Sequence, residues 1–248
     1  MEKKDLNIIF LGTGNFATSR KCTSFVIDQQ ILFDVGYGIV NALIDNNLDT
    51  KDLRYLLISH FQGDHIGDII HFITRRIAKK ETDLPLQIIA PKGAKKNIGK
   101  YLEAHFADDR ADIAKLVPLY ESTIANILEI NEGQEYNDSI VKIKPFYVQH
   151  SPEAQGYIIN IKNKIIGCSG DTELCNALLA QIKNADTWVI NCSHKDGDNK
   201  RNMSASEVAR IAIKNPERKF YGVHRKDYVL DTKPANFFLP NDNESTTI

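Results

Sequence analysis

Three side chains able to bind a metal ion stand within six residues of one another: His60, Asp64 and His65, in Ile58-Ser-His-Phe-Gln-Gly-Asp-His-Ile-Gly-Asp68. Imidazole nitrogens and a carboxylate oxygen are donors that a borderline-soft divalent cation such as zinc accepts. A helix cap at Asp64 would need one oxygen and leave the two imidazoles unexplained. The apolar run 55–58 ahead of the cluster predicts a strand, and the amphipathic run 68–80 behind it predicts a helix. Gly63 and Gly67 permit a close backbone approach in between. The cluster therefore belongs on a short loop aimed into a pocket.

Other candidates sit where later strand-like runs end: 140–148 runs to His150, 164–167 to Asp171 and 219–223 to His224. A single histidine is more often a satisfied polar residue than a ligand. Four strand-to-loop junctions bearing acids and imidazoles point instead to one shared centre, because strand ends are a rigid platform for sites. His71 and His105 lie on helical stretches without a partner at ligand spacing and are read as non-ligands. Ser204, which opens Ser-Ala-Ser-Glu207, is read as a helix cap in a capping box and not as a nucleophile.

Gly12-Thr-Gly14-Asn-Phe-Ala17 fits the dinucleotide pattern G-x-G-x-x-A, with Asp34 at the distance of a ribose-binding acid. The context disagrees. Such a fingerprint opens a helix, whereas 23–27 and 31–35 predict two strands about Asp28-Gln-Gln30. A tight turn near the pocket mouth is the reading adopted for Gly12 and Gly14. On the predicted helix 68–80, Ile69, Phe72, Ile73 and Ile77 should face the core. Arg75, Arg76, Lys79 and Lys80 should form a solvated basic face, with a phosphate- or RNA-contacting patch as the alternative. Residues 156–161 and 164–167 predict a hairpin about Lys162-Asn163, and an amphipathic helix is expected from Thr172. Section 108–138 mixes short strands with polar turns and is expected to shape the pocket mouth. The tail, 232–248, is expected to be loosely ordered.

The 248 residues carry 42% hydrophobic and 25% charged side chains, ordinary for a globular protein. A net charge of −1 gives no global field to recruit nucleic acid or an anionic membrane. Cys22, Cys168, Cys175 and Cys192 have no CxxC spacing and read as reduced, mostly buried thiols. The start, Met1-Glu-Lys-Lys-Asp, enters a strand-like run without a secretory segment, and no run approaches membrane-spanning length. The expected location is cytoplasmic. No repeat or linker divides the chain, so a single domain spanning 1–248 is expected.

In order and spacing, these motifs resemble the metallo-β-lactamase-fold hydrolase superfamily, whose hallmark is H-x-H-x-D-H followed by later His, Asp and His ligands. Here the pattern reads His60-Phe-Gln62-Gly-Asp64-His65, then His150 in H-x5-G-Y, Ser-Gly-Asp171-Thr, and Gly-Val-His224. The Leu-Gly-Thr-Gly turn and Leu-Phe-Asp34-Val-Gly also fit. The resemblance implies an α/β (α+β) fold, a four-layer αβ/βα sandwich with the site at the shared edge of two sheets. The ribonuclease Z-like and phosphodiesterase branch is the most similar in motif style. It implies a metal-dependent hydrolase using metal-activated water on a phosphodiester or related ester bond. One or two divalent ions are expected, zinc first, with manganese or iron as alternatives. The implied first position is His60, Gln62 and His150 with Asp171 bridging; the second is Asp64, His65, Asp171 and His224. Asp64 would also act on the water.

Two departures stand out. Gln62 replaces the second histidine of the motif and should weaken the first position. Asn202 stands where ribonuclease Z-like proteins tend to carry a histidine that assists the leaving group, and His194 is the candidate to take over that catalytic role. The long tRNA-gripping insertion is missing between His150 and Asp171, which speaks against tRNA and for a small-molecule or short nucleotide substrate. A homodimer is compatible with the resemblance. The competing readings are a degenerate member acting as a binding or regulatory module, and a single-iron redox enzyme on the same fold.

Overall fold

The computed structural model describes residues 5–81, 85–105, 125–197 and 201–248. Strands β1 (Asn7–Gly12), β2 (Ser24–Ile27), β3 (Ile31–Phe33), β4 (Tyr55–Leu57), β5 (Leu86–Ala90) and β6 (Ala125–Glu129) build the first sheet. Strands β7 (Tyr136–Asn137), β8 (Val141–Tyr147), β9 (Gln155–Ile161), β10 (Lys164–Cys168), β11 (Thr187–Asn191), β12 (Lys219–Val223) and β13 (Phe237–Phe238) build the second. Strand β14 (Glu244–Thr247) returns to the first sheet, giving the orders β14-β1-β2-β3-β4-β5-β6 and β13-β12-β11-β10-β9-β8-β7.

Alternation along the strands sorts side chains between faces, because successive residues point to opposite sides of a sheet. Phe25 and Ile27 of β2 and Tyr55 and Leu57 of β4 enter the core between the two sheets. Val26 and Leu56 turn the other way, into a core shared with Ile69, Phe72 and Ile73 of the helix Ile69–Ala78. On the second sheet Tyr157, Ile159 and Val189 face the first sheet. Trp188 and Phe220 face the helix Ala205–Lys214 through Val208, Ile211 and Ala212. Three apolar layers therefore separate four structural layers: helices, sheet, sheet, helices. This is the expected sandwich. Burying both faces explains why β2, β3 and β4 read as nearly unbroken apolar runs.

Several local expectations hold. The hairpin β9–β10 turns at Lys162 and Asn163, both with positive φ, and Ser204 closes a capping box with Glu207. All four cysteines are free and buried. No nucleotide-type helix follows Gly14, because the chain turns into β2. Among the described residues, no helix is long and apolar enough to cross a membrane.

Others need correction. The tail is not loose. β14 pairs antiparallel with β1, from Asn7↔Thr247 to Phe10↔Glu244, and β13 pairs with β12. Glu244-Ser-Thr-Thr lacks apolar alternation because it is an edge strand with one free side. Arg76 is not on a solvated face: it is 1% exposed, donates to the Thr50 carbonyl and pairs with Glu81. The helix expected from Thr172 begins only at Asn176, because Thr172 and Glu173 are tied to Gln149. The helix expected over 68–80 is present as Ile69–Ala78, but the loop expected ahead of it contains a short helix of its own, Gly63–Ile66. Of section 108–138, residues 108–124 lie outside the described residues; the rest contains β6 and β7.

Candidate metal centre

The parallel strands of both sheets deliver their carboxyl ends to one edge, the place where open α/β sheets carry sites. β3 ends at Asp34, β4 at Ser59 and His60, β10 at Asp171, β11 at Asn191 and β12 at His224. Hydrogen bonds stitch the sheets together there. The buried Tyr157 hydroxyl donates to the Ile58 carbonyl at 2.7 Å, and Gln155 N donates to Ser59 O at 3.1 Å. The loop after β3 is pressed onto the helix Gly63–Ile66: Val35 N donates to His65 O at 2.7 Å, and a Cβ on Gly36 would overlap the Asp64 carbonyl oxygen. That contact is why glycine is needed at position 36.

Asp64, His65, Asp171 and His224 converge tightly. His224 Nε2 lies 3.2 Å from Asp171 Oδ2 and 3.3 Å from Asp64 Oδ2; His65 Nε2 lies 3.5 Å and 3.7 Å from the same two oxygens. Tetrahedral coordination with bonds of about 2.0–2.2 Å sets neighbouring donors roughly 3.3–3.6 Å apart. The spacing fits a divalent cation. The second group is looser: His150 Nε2 is 3.4 Å from Gln62 Oε1 and 4.0 Å from Asp171 Oδ2, with the His60 ring centroid 4.8 Å from that of His150. His60, His65 and Asp171 also offer ligand atoms within 4.8 Å of one another. All seven residues expected as ligands are thus brought to one place.

Hydrogen bonds behind the rings select their tautomers. His65 Nδ1 donates to Asp34 Oδ2 at 2.8 Å, and His150 Nδ1 donates to the Arg201 carbonyl at 2.8 Å. His60 Nδ1 donates to Ser59 Oγ at 3.0 Å, whose own proton goes to Asp34 Oδ2 at 2.8 Å. In each ring Nδ1 is the donor and Nε2 faces inward, so that in the neutral ring Nε2 offers its lone pair, as a metal-ligating imidazole requires. His60 Nε2 and His65 Nε2 are buried and have no hydrogen-bond partner. Two buried ring nitrogens without partners beside two carboxylates are what a bound cation would satisfy.

The charges agree. Burial and the neighbouring His65 bring the His60 imidazole down to about 3, so it stays neutral. Burial also opposes a charge on His65, but the carboxylates of Asp171 and Asp34 outweigh it and raise that imidazole well above its usual range, so without a cation its Nε2 holds a second proton that a bound cation would displace. Burial pushes Asp64 and Asp171 up; for Asp64 the hydrogen bond from His224 and the charge of His65 overcome it, and for Asp171 the charges of His224 and His65 do. Both carboxyls end below the usual carboxylate range. Burial dominates at Asp34 and raises it, against the pull of His65 and Ser59.

His194 is not brought to this group. Its Nε2 bonds the Gly197 carbonyl at 3.0 Å, and among the described residues it has no hydrogen bond or ion pair to a candidate ligand. The sequence reading missed the supporting groups Asp34, Ser59 and Asn191. The segment Leu-Phe-Asp34-Val-Gly is legible in the sequence, but it gives Asp34 no role at the metal centre. Its positive φ of 53° and its place after a parallel strand mark a residue held for a purpose.

The chain resembles known proteins on two levels. It is 28% identical over 167 residues to the ribonuclease Z of Saccharolobus islandicus (strain L.S.2.15 / Lassen #1), covering 64% of this chain and 50% of that protein. It thus spans about half the length of the curated relatives it matches. In structure it is similar to the metallo-beta-lactamase fold protein YhfI from Bacillus subtilis, with a TM-score of 0.77, 16% identity, and coverage of 99% of this chain and 100% of that one. Human tRNase Z, short form, gives a TM-score of 0.71 at 19% identity, covering 97% and 98%. A diphosphatase from the PhnP family gives 0.72 at 12% identity, covering 97% of each. These likenesses establish the metallo-β-lactamase fold. The family model described as Anti-Pycsar protein Apyc1 matches residues 6–231, nearly the whole length, and the chain belongs to that family.

Proposed function

We propose that this protein is a metal-dependent hydrolase of a phosphodiester bond in a small molecule or short nucleotide. The observation that carries the reading is the pair of buried, unpartnered Nε2 atoms of His60 and His65 facing the carboxylates of Asp64 and Asp171. The ribonuclease Z relatives and the diphosphatase neighbour support a substrate cleaved at phosphorus. Asp64, His65, Asp171 and His224 would hold one divalent cation; His60, Gln62 and His150, with Asp171 shared, would hold another. When bound, such an ion supplies positive charge that lowers the pKa of water and offsets charge on a phosphoryl oxygen.

The chain's own residues do the rest. Asp34 fixes His65 directly and His60 through Ser59. Asp64, kept ionised by His224 and His65, would orient the attacking water and accept its proton. Asp171 lies between the two groups and brings negative charge to both. Zinc is the expected ion, and the cytoplasm the expected location.

Purified protein should contain zinc, hydrolyse bis-p-nitrophenyl phosphate, lose that activity with a chelator and regain it with zinc or manganese. No metal after careful preparation, together with no rescue, would defeat the proposal. One observation favours a second reading, a binding module: the Gln62 amide oxygen points at His150 Nε2 from 3.4 Å and makes the first group a poorer cradle.

A further inference from the structure

Asn191, the last residue of β11, is 1% exposed and unused in the scheme above. Its amide oxygen accepts the Met203 N–H at 2.8 Å, which settles the orientation of the group, because only the oxygen can accept. The amide nitrogen then donates to Asp171 Oδ1 at 3.0 Å and to Asn202 Oδ1 at 2.9 Å, and stands 3.3 Å from His224 Nδ1. The segment gripped in this way, residues 201–203, is also the one whose Arg201 carbonyl accepts the His150 Nδ1 proton. One amide is therefore linked directly to Asp171 and, through three residues of backbone, to His150.

We propose that Asn191 is a positioning residue that couples the two halves of the centre, setting the Asp171 carboxylate and, through Asn202 and Met203, the tautomer of His150. The purpose assigned to this coupling rests on the metal-hydrolase reading; the coupling itself does not. The residue type follows from its neighbours. A carboxylate here would face Asp171 with no proton to donate, and an aliphatic side chain would leave the Met203 N–H buried without an acceptor. Asn202 likewise has a use of its own: its side-chain oxygen anchors the brace.

The test uses metal-free protein at about pH 8, where long-range proton–nitrogen spectra report the tautomer of each neutral histidine ring. Wild type should show His150 as a single Nδ1–H tautomer. Asn191→Ala should show interconverting tautomers, and zinc affinity by chelator competition should fall about 10–100-fold. Asn202→Ala, at a less buried position, should mix the tautomers in the same way, and it decides the matter if Asn191→Ala does not fold. A single Nδ1–H tautomer kept in a folded variant overturns the coupling, whatever zinc does. If wild type binds no zinc, the hydrolase reading fails while the spectra still decide the coupling.

Discussion

Asp34→Asn is the sharpest probe of the centre, because it keeps shape and burial while changing one acceptor into a donor. The Asp34 carboxylate is fully buried and accepts from three donors: Ser59 N at 2.8 Å, Ser59 Oγ at 2.8 Å and His65 Nδ1 at 2.8 Å. An amide cannot serve all three. If its oxygen stays on Ser59 N–H, its NH₂ group meets the His65 Nδ1–H, and the imidazole escapes by moving its proton to Nε2. That tautomer has no inward lone pair. If the amide flips, a donor faces the Ser59 backbone N–H instead. Loss of one charge-assisted bond costs about 1.5–3 kcal/mol of stability. The misplaced tautomer should weaken zinc by about 10–100-fold, or about 1.4–2.7 kcal/mol. Denaturant unfolding of the metal-free protein and chelator competition measure the two effects separately. A folded Asp34→Asn protein with zinc affinity within about 2-fold of wild type, a difference near 0.4 kcal/mol, would refute the tautomer argument.

Three further outcomes follow from the same geometry. Gln62→His should add an imidazole to the looser group and raise metal occupancy and hydrolysis of bis-p-nitrophenyl phosphate by about tenfold or more, the effect of about 1.4 kcal/mol; unchanged occupancy by elemental analysis would mean that the first group is not a metal position. In metal-free protein, the unfolded chain takes up the His60 proton from 6.5 downward whereas the folded chain resists until about 3, so stability should fall with pH across that window. The depressed Asp64 and Asp171 add in the same direction at lower pH, the raised Asp34 offsets part of the fall above its ordinary value, and the raised His65 gives the opposite sign on the alkaline side, its contribution being lost as pH rises through its folded value. Urea midpoints that stay flat between pH 6.5 and about 3 would contradict this. Asp242→Ala should cost about 1–3 kcal/mol, because Asp242 Oδ1 accepts from the fully buried Thr13 N at 2.9 Å and nothing else replaces it; an unchanged urea midpoint would show that the bond contributes nothing.

The parts of this molecule legible in the sequence are those in which a residue type serves a purpose at its own position. His60, Asp64 and His65 stand together in the chain, and His150, Asp171 and His224 each follow an apolar run, so the strand-end pattern locates all of them. The sandwich is legible for a related reason: runs such as Ser24–Ile27 are apolar on both faces, which only a sheet covered on both sides demands. What stayed hidden depends on distant partners. Asp34 looks like a generic acid until His65 is placed against it, 31 residues away. Asn191 carries no signal before Asp171, Asn202 and Met203 surround it. The place of Arg76 at the end of a helix predicts a solvated side chain, yet backbone carbonyls from Thr50 and Leu53 and the carboxylate of Glu81 draw it inside.

The tail shows how far such dependence reaches. Asp242 holds the turn after β1 through Thr13 N, Thr13 Oγ1 and Lys21 N, at 2.8–2.9 Å. The Thr13 carbonyl in turn accepts from Arg225 N at 2.9 Å, directly after His224, and Arg225 is tied to the Pro240 carbonyl. His224 itself has a φ of 60°, a conformation that costs energy for a residue with a side chain and persists only where its surroundings enforce it. The segment that reads as a polar, structureless end is therefore part of what keeps His224 aimed at Asp64 and Asp171. The centre is assembled from two sheets, but its last ligand is held in place by the loop between β13 and β14.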